Sequence, residues 1–194
     1  MAQPAEWFSG GIFVPHGRWT AQRALAELPE VAESTIEVFD GSLVVSPRPG
    51  GGHQRALRVL AYKLDAAARV AALEALPEIN LVLGEDLASP DITLVPRVEN
   101  PGVWFDAAEA AMVVEIMSPN HKRKDRIERP GVYARNGIPY YMRVEFRGDD
   151  PVIFLHRLTD AGEYRPIVSA PAGKTFTMAE PFAFEIDPAE LLDR

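Results

Sequence analysis

The sequence predicts an α/β (α+β) protein in which helices flank a mixed central β-sheet. Its 194 residues are enough to bury a core without disulfides, and the chain has no cysteine. The run Met112–Met117 is apolar apart from one glutamate, which is typical of a central strand buried on both faces. The predicted order of elements is αββα, then three strands, a helix and further strands, which indicates a mixed sheet flanked by helices. We expect residues 1–17 to be irregular and residues 18–194 to form one domain.

Two helices and a hairpin are predicted in the N-terminal part of this domain. Helical spacing of apolar residues covers Trp19–Leu28, and a proline follows it. The β-type runs Thr35–Phe39 and Ser42–Ser46 meet at Asp40-Gly41, which is a strong two-residue turn signal. After a glycine-rich loop, an apolar stripe predicts a long helix over His53–Leu73.

The rest of the chain is predicted to hold strands around one short helix. Residues 120–136 are polar and basic, and Pro130-Gly131 interrupts them. Because proline fits the first turn of a helix but not its interior, we expect this helix to begin at Pro130. A short acidic helix is expected at the C-terminal end. The strands are predicted at Ile79–Leu83, Asp91–Val95, Met112–Met117, Tyr140–Phe146, Val152–Leu158, Tyr164–Val168 and Phe182–Ile186.

Charge and composition argue against several classes of function. The net charge is −8, but residues 119–147 carry +5 and the remainder carries −13. An acidic chain is not a general polyanion binder, although a local basic stripe suits a phosphate; the alternative is a solvated surface. The four histidines lack zinc spacing, and Gly50-Gly51-Gly52 matches neither nucleotide-binding glycine motif. Without an apolar run of about 18 residues or a signal-peptide pattern, we expect a cytoplasmic protein with no membrane partner.

Two acidic residues are the strongest candidates for chemistry. Glu115 lies in the predicted central strand, where an unpaired carboxylate is costly. It either forms a salt bridge with the basic segment that follows or ligates a cation at the sheet edge. Asp91 begins a strand, where it is either a turn residue or a second ligand. Together the two carboxylates would supply oxygen ligands of the kind that Mg²⁺ or Mn²⁺ prefers, with substrate phosphates completing the site.

The arrangement of these acids resembles a known superfamily. Pro90-Asp91 and Glu115, 24 residues apart, match the acidic pair of the PD-(D/E)xK nucleases. The most characteristic stretch, Val113–Pro119, resembles the Uma-type branch, a family of restriction endonucleases once classed as a domain of unknown function. The likeness covers roughly residues 18–190. Its further elements are the hairpin 36–45, the segment 46–53, Asp125-Arg126, Tyr133-Ala134 and residues 137–141.

This resemblance implies a restriction-endonuclease-like core and a Mg²⁺- or Mn²⁺-dependent endonuclease that hydrolyses phosphodiester bonds in DNA. Asp91 and Glu115 would hold the metal, which lowers the pKa of a bound water and stabilises the charged phosphate. Glu37 would correspond to an additional acid of the site. Its alternative role is cross-strand pairing within the hairpin.

The third catalytic element departs from the superfamily pattern. A lysine is expected two residues after the second acid, on the same strand face. Met117 occupies that position, and a methionine cannot orient a water or stabilise charge. Lys122 and Lys124 are the candidates to replace the missing lysine, and either could also be a solvated surface residue.

Arg123, Arg126 and Arg129 are predicted to bind the substrate. Arg129 stands where the family commonly has a lysine, three positions after an Asp-Arg pair. Arginine stays protonated, so it can clamp a phosphate but cannot act as a base. Because Arg129 precedes Pro130, we expect it to lie outside helical geometry.

Three hypotheses follow. The first is a metal-dependent endonuclease, with a homodimer expected if both strands are cut. The second is a catalytically degenerate nuclease fold that binds nucleic acid or protein, favoured by Met117, Arg129 and Pro130. The third is a protein-interaction module, favoured by the net negative charge.

Overall fold

The computed structural model describes residues 7–8, 11–12, 17–28, 34–117 and 123–192, without the side chains of 7–8, 11–12 and 123–128. Its helices are α1 (Ala21–Glu27), α2 (Gly51–Ala68) and α3 (Arg123–Arg135), with short 3-10 turns at Arg69–Ala71, Ala107–Glu109 and Pro188–Leu192. Its strands are β1 (Trp7–Phe8), β2 (Gly11–Ile12), β3 (Ser34–Phe39), β4 (Ser42–Pro47), β5 (Leu73–Pro77), β6 (Asn80–Leu83), β7 (Asp86–Ala88), β8 (Ile92–Pro96), β9 (Trp104–Asp106), β10 (Met112–Met117), β11 (Tyr140–Arg147), β12 (Asp150–Leu158), β13 (Tyr164–Pro171), β14 (Phe176–Met178) and β15 (Phe184–Ile186).

A six-stranded mixed sheet forms the centre of the fold, in the order β13-β12-β11-β10-β8-β5. Strands β10 and β11 are parallel, and the other neighbours are antiparallel. Every residue of β10 is buried, in agreement with the prediction of a central strand. The predicted α/β fold with a mixed sheet and flanking helices is therefore correct.

The two faces of this sheet pack against different partners. Leu60 and Leu64 of α2 pack with Val114 and Ile116 of β10 on one face. On the other face, Val113 packs with Tyr133 of α3 in a second apolar cluster. Because side chains alternate along a strand, Glu115 shares a face with Val113 and points toward the α3 side.

A five-stranded sheet, β4-β3-β7-β6-β9, supplies the other wall of the second apolar cluster. The β3–β4 hairpin turns at Asp40-Gly41, where both residues have positive φ, as the sequence predicts. This sheet brings Glu37 of β3 to the α3 side of the central sheet. Glu37 is 1% exposed.

The helix boundaries correct two predictions. Helix α2 begins at Gly51 and ends at Ala68 instead of spanning His53–Leu73. Ala72 adopts a left-handed conformation, and the chain then pairs with β8 as strand β5. Pairing within the sheet thus overrides the helical propensity of the alanine- and leucine-rich segment.

Helix α3 begins at Arg123, so the prediction that it starts at Pro130 is wrong. Pro130 lies inside the helix and removes one backbone hydrogen bond. Contacts made by Arg129 and Tyr133 hold the helix against two sheets and offset this loss. Arg129 therefore has helical geometry, contrary to the expectation from its position before proline.

Three short strands escape the sequence analysis. The strands β7, β9 and β14 have only three residues each, so they carry little period-two signal. The expected C-terminal helix is the 3-10 turn at Pro188–Leu192. In the segment expected to be irregular, β1 and β2 pair antiparallel. No helix among the described residues combines the length and apolar character needed to span a bilayer.

Candidate active site

Asp91 and Glu115 meet at one edge of the central sheet. Asp91 directly precedes β8, and β8 runs antiparallel to β10, so Asp91 lies beside the end of β10. The backbone N–H of Ile116 donates to Oδ2 of Asp91 at 2.5 Å. The register of β8 against β10 and this hydrogen bond place the two predicted metal ligands next to each other.

Glu115 is buried and is held by α3. The hydroxyl of Tyr133 donates to its Oε1 at 2.5 Å, and Nη1 of Arg129 donates to the same oxygen at 3.1 Å. The second oxygen, Oε2, has no hydrogen bond to the described residues. Glu115 therefore forms the salt bridge with the basic segment that the sequence allowed, and its Oε2 makes no hydrogen bond within the part of the chain that the structure describes.

Glu37 joins the same cluster from the second sheet. Its Oε2 accepts from Nη2 of Arg129 at 2.5 Å, and its Oε1 accepts from the backbone N–H of Ser89 at 3.0 Å. Arg129 thus links Glu37 on β3 to Glu115 on β10. The predicted additional acid, Glu37, is therefore connected to Glu115 through the guanidinium of Arg129.

Burial and neighbouring charge raise the pKa of Glu115 to about 7. Burial is the largest cause, because a carboxylate loses hydration in the protein interior. Arg129 and the Tyr133 hydroxyl lower the pKa, whereas the charges of Asp91 and Glu37 raise it. Glu115 consequently exchanges its proton near neutral pH.

The same cluster of acids shifts the pKa values of Arg129 and Tyr133. Burial favours the neutral form of Arg129, but the charges of Glu115 and Glu37 outweigh it and raise its pKa. Burial together with the Glu115 charge raises the pKa of Tyr133 well above its usual value. Both groups therefore keep their protons and act as donors.

His53 is a member of the site that the sequence analysis left out. It lies in the first turn of α2, and its Nε2 is 3.1 Å from Oδ1 of Asp91. Burial favours the neutral imidazole, but the hydrogen bond and the charge of Asp91 raise the His53 pKa above its usual value. No periodicity in the sequence connects this helix start with Asp91, 38 positions later.

Tyr133 was also not predicted as a site residue. Arg129 and Tyr133 are four residues apart, so they share one face of α3. That spacing, combined with a buried glutamate nearby, is the signal that could have identified Tyr133.

The remaining predicted site residues lie outside the described part of the site. Lys122 is not among the described residues. The side chains of Lys124, Arg123 and Arg126 are likewise not described, although these three residues belong to α3. Their predicted roles stay predictions.

The donor set suits a hard divalent cation. Among the described residues, no group of three or more acidic and histidine side chains is arranged to hold a metal. Asp91 and Glu115 supply oxygen ligands, and Mg²⁺ commonly binds one or two carboxylates and completes its shell with water and phosphate. With its three carboxylates ionised, the cluster of Glu37, Asp91, Glu115 and Arg129 has a formal charge of −2. A divalent cation would neutralise it.

The Tyr133 hydroxyl can be tested separately from the charges. Replacing Tyr133 with phenylalanine removes a buried hydrogen bond to an acid, so we expect the free energy of unfolding to fall by about 1–3 kcal/mol. Urea unfolding checks this. The matched control is Tyr164→Phe, which removes a hydroxyl donating to the backbone carbonyl of Ile138 at 2.7 Å. Equal losses in the two variants would contradict a specific role for the Tyr133–Glu115 contact.

Comparisons with known proteins agree with this fold and identify a family. A crystal structure described as a putative nuclease belonging to DUF820 from Anabaena variabilis ATCC 29413 has a TM-score of 0.68 and 18% sequence identity. The similarity covers 90% of this chain and 97% of that chain, and it shows a common fold. No curated protein matches the chain. The family model Uma2, described as "Putative restriction endonuclease", matches residues 23–189. The chain therefore belongs to the Uma2 restriction endonuclease family.

Proposed function

We propose that this protein is a Mg²⁺- or Mn²⁺-dependent endonuclease that hydrolyses phosphodiester bonds in DNA. The observation that carries the proposal is the meeting of Asp91 and Glu115 at one sheet edge, with one Glu115 oxygen uncommitted among the described residues. Membership of a nuclease family supports a nucleic acid as the substrate. The preference for DNA and the identity of the metal belong to the proposal.

Asp91 and Glu115 would hold the metal. The bound ion would supply a water of lowered pKa and would stabilise the negative charge that develops on the phosphate. The chain's own residues prepare this chemistry. The backbone N–H of Ile116 and the imidazole of His53 fix the Asp91 carboxylate, while Tyr133 and Arg129 fix one oxygen of Glu115.

Arg129 serves as a positioning residue in this proposal. Its guanidinium spans Glu37 and Glu115, so it holds the buried acids in place. Its side chain is 22% exposed, which limits its contact with a substrate. The role of the missing lysine therefore falls to Lys122 or Lys124, as the sequence analysis expects.

A plasmid-nicking assay tests the proposal. We expect Mg²⁺ or Mn²⁺ to support nicking of supercoiled DNA by the wild type. The nicking activity of the Asp91→Asn variant should be lower by roughly a hundredfold or more. Loss of a metal ligand is expected to reduce activity at least as much as loss of the groups that orient it. Asp160→Asn is the matched control, since Asp160 is exposed in the turn between β12 and β13. Equal activity of Asp91→Asn and the control would contradict the assignment.

A second candidate is a nuclease fold that binds nucleic acid without cutting it. Two observations favour it: Met117 replaces the expected lysine, and Arg129 already pairs with Glu115. This candidate gives a different result in the same assay. Binding of DNA that weakens steeply with salt, without nicking in either metal, would identify a binding module.

A further inference from the structure

The outward face of α2 carries a row of basic residues around one aromatic residue. From Gly51 to Arg69 the chain has four basic residues and one acid, a net charge of +3 in a chain whose net charge is −8. Positions 55, 58, 62 and 69 lie within about 60° of one another around a helix of 3.6 residues per turn, so they share one face. We name this set the α2 stripe; its members are Arg55, Arg58, Tyr62 and Arg69.

The α2 stripe faces solvent. All four of its residues are exposed, and Tyr62 is 77% exposed. The opposite face of the helix is buried, because Leu57, Leu60 and Leu64 belong to the apolar core against the central sheet. The packing of α2 is thus complete without the stripe. The Tyr62 ring contributes little to that packing and is open to a partner.

The acids beside the α2 stripe do not cancel its charge. Asp65 accepts hydrogen bonds from Arg69 at 2.8 Å and from Arg97 at 3.0 Å, so two cations share one carboxylate. On the flank of the helix, Glu190 is already paired with Lys63. A positive potential therefore remains along this face of an acidic protein.

The α2 stripe begins beside the candidate active site and leads away from it. Arg55 follows His53 by two positions, and Nε2 of His53 is 3.1 Å from Oδ1 of Asp91. From Arg55 to Arg69 the stripe extends about 21 Å, at a rise of 1.5 Å per residue. A nucleic-acid strand held at the candidate site can therefore continue along the stripe.

The chemistry of the α2 stripe favours a nucleic-acid strand over other anionic partners. Arginine side chains bind phosphate through paired N–H donors, and an exposed aromatic ring stacks on an unpaired base. A lipid surface fits less well, because the apolar face of α2 is buried in the core and cannot enter a bilayer. A broad anionic surface would also meet the net charge of −8, whereas a strand contacts the stripe alone.

We propose that the α2 stripe binds a single-stranded segment of the nucleic acid beside the group that is cleaved. Arg55, Arg58 and Arg69 contact its phosphates, and Tyr62 stacks on one of its bases. The placement of this segment relative to the cleaved group rests on the proposed nuclease function. Because phosphate contacts and stacking tolerate any sequence, the stripe holds the strand without specifying the target.

Fluorescence anisotropy of a fluorescein-labelled oligothymidylate, in EDTA and at low salt, tests the phosphate contacts. We expect the Arg55→Gln/Arg58→Gln variant to bind about fivefold more weakly, as expected for two exposed charge contacts. The slope of log affinity against log salt should become shallower by about 1.4, because each phosphate contact to a single strand contributes about 0.7.

The matched control for this variant is Arg157→Gln/Arg165→Gln. It removes the same amount of charge at two exposed positions, which pair with each other on β12 and β13. These strands lie at the edge of the central sheet opposite β5. The control should keep the wild-type affinity and salt slope.

Substitutions of Tyr62 test stacking separately from charge. Tyr62→Leu should bind the oligothymidylate at least fivefold more weakly with an unchanged salt slope, because it loses a stacked base and no charge. Tyr62→Phe keeps the aromatic ring and should bind like the wild type. Circular dichroism checks that both variants are folded.

Four results would overturn the α2 stripe as a nucleic-acid site. The first is the absence of oligothymidylate binding by the wild type at low salt. The second is equal affinity and salt slope in Arg55→Gln/Arg58→Gln and Arg157→Gln/Arg165→Gln. The third is equal affinity in Tyr62→Leu and Tyr62→Phe. The fourth is binding of phosphatidylserine vesicles without binding of the oligothymidylate, which would identify a membrane surface.

The titration contains no metal, so its result is independent of nicking. Binding that depends on the α2 stripe, together with an inactive enzyme, would support the stripe and refute the endonuclease. Nicking without binding that depends on the stripe would refute the stripe and leave the endonuclease in place.

Discussion

Replacing Arg129 with methionine is expected to lower the free energy of unfolding by about 3–5 kcal/mol, because it leaves buried acids without their cation. Glu37 is 1% exposed and Glu115 is 7% exposed, and Arg129 donates to both. Methionine keeps much of the side-chain length and removes the charge. Urea unfolding in EDTA, monitored by tryptophan fluorescence and circular dichroism, gives the free energy directly.

Two further variants make the Arg129 result specific. Arg135→Met is the matched control, since Arg135 is an exposed residue on the same helix. We expect this substitution to lower the free energy of unfolding by well under 1 kcal/mol. In the double variant Arg129→Met/Glu37→Gln, part of the lost stability should return, because one of the two unpaired charges is gone. A loss in Arg129→Met no larger than in Arg135→Met would contradict the bridging role.

Replacing Glu115 with glutamine is expected to change how stability depends on pH. The pKa of Glu115 is about 7 in the folded protein and 4.5 in a model compound, so the native state binds this proton more tightly than the unfolded state. The contribution of Glu115 to stability is therefore full below about pH 4.5 and is lost as the pH rises through 7. This difference in pKa corresponds to about 3 kcal/mol in the free energy of unfolding.

Glutamine has no proton to lose, so it removes this pH dependence. The free energy of unfolding of Glu115→Gln, relative to the wild type, should rise by up to about 3 kcal/mol between pH 4.5 and 8. Urea unfolding in EDTA across this range measures the difference. Glu99→Gln is the control at an exposed position. Parallel curves for wild type and Glu115→Gln would contradict the raised pKa. The same variant should also lose nicking activity.

The central strand β10 and the β3–β4 hairpin of the second sheet were predictable because their signals in the sequence are local. The apolar run of β10 and the Asp40-Gly41 turn each specify their structure within a few residues. Strand β5 was missed because the predicted helix ended at Leu73 and the four residues after it show little strand pattern, whereas pairing with β8 makes the segment a strand. The start of α3 was misplaced because the cost of Pro130 is offset by contacts with distant residues.

The candidate site likewise contains residues with a local signal in the sequence and contacts that have none. Asp91 and Glu115 were predicted as site residues because a carboxylate at the start or in the middle of an apolar strand is locally unusual. The bridge from Arg129 to Glu37 joins residues 92 positions apart, and the contact between His53 and Asp91 joins a helix start to a strand start. Neither contact has a signature in the sequence, because each depends on how two sheets and two helices pack together.

Calorimetric titration of Mn²⁺ and Mg²⁺ into the wild type, Asp91→Ala and Glu115→Ala tests the central claim most directly. We expect the wild type to bind at least one ion with a millimolar or lower dissociation constant. Both variants should lose this binding while remaining folded by circular dichroism. A wild type that binds neither ion at millimolar concentration would contradict the shared carboxylate site. Variants that bind as well as the wild type would contradict it equally.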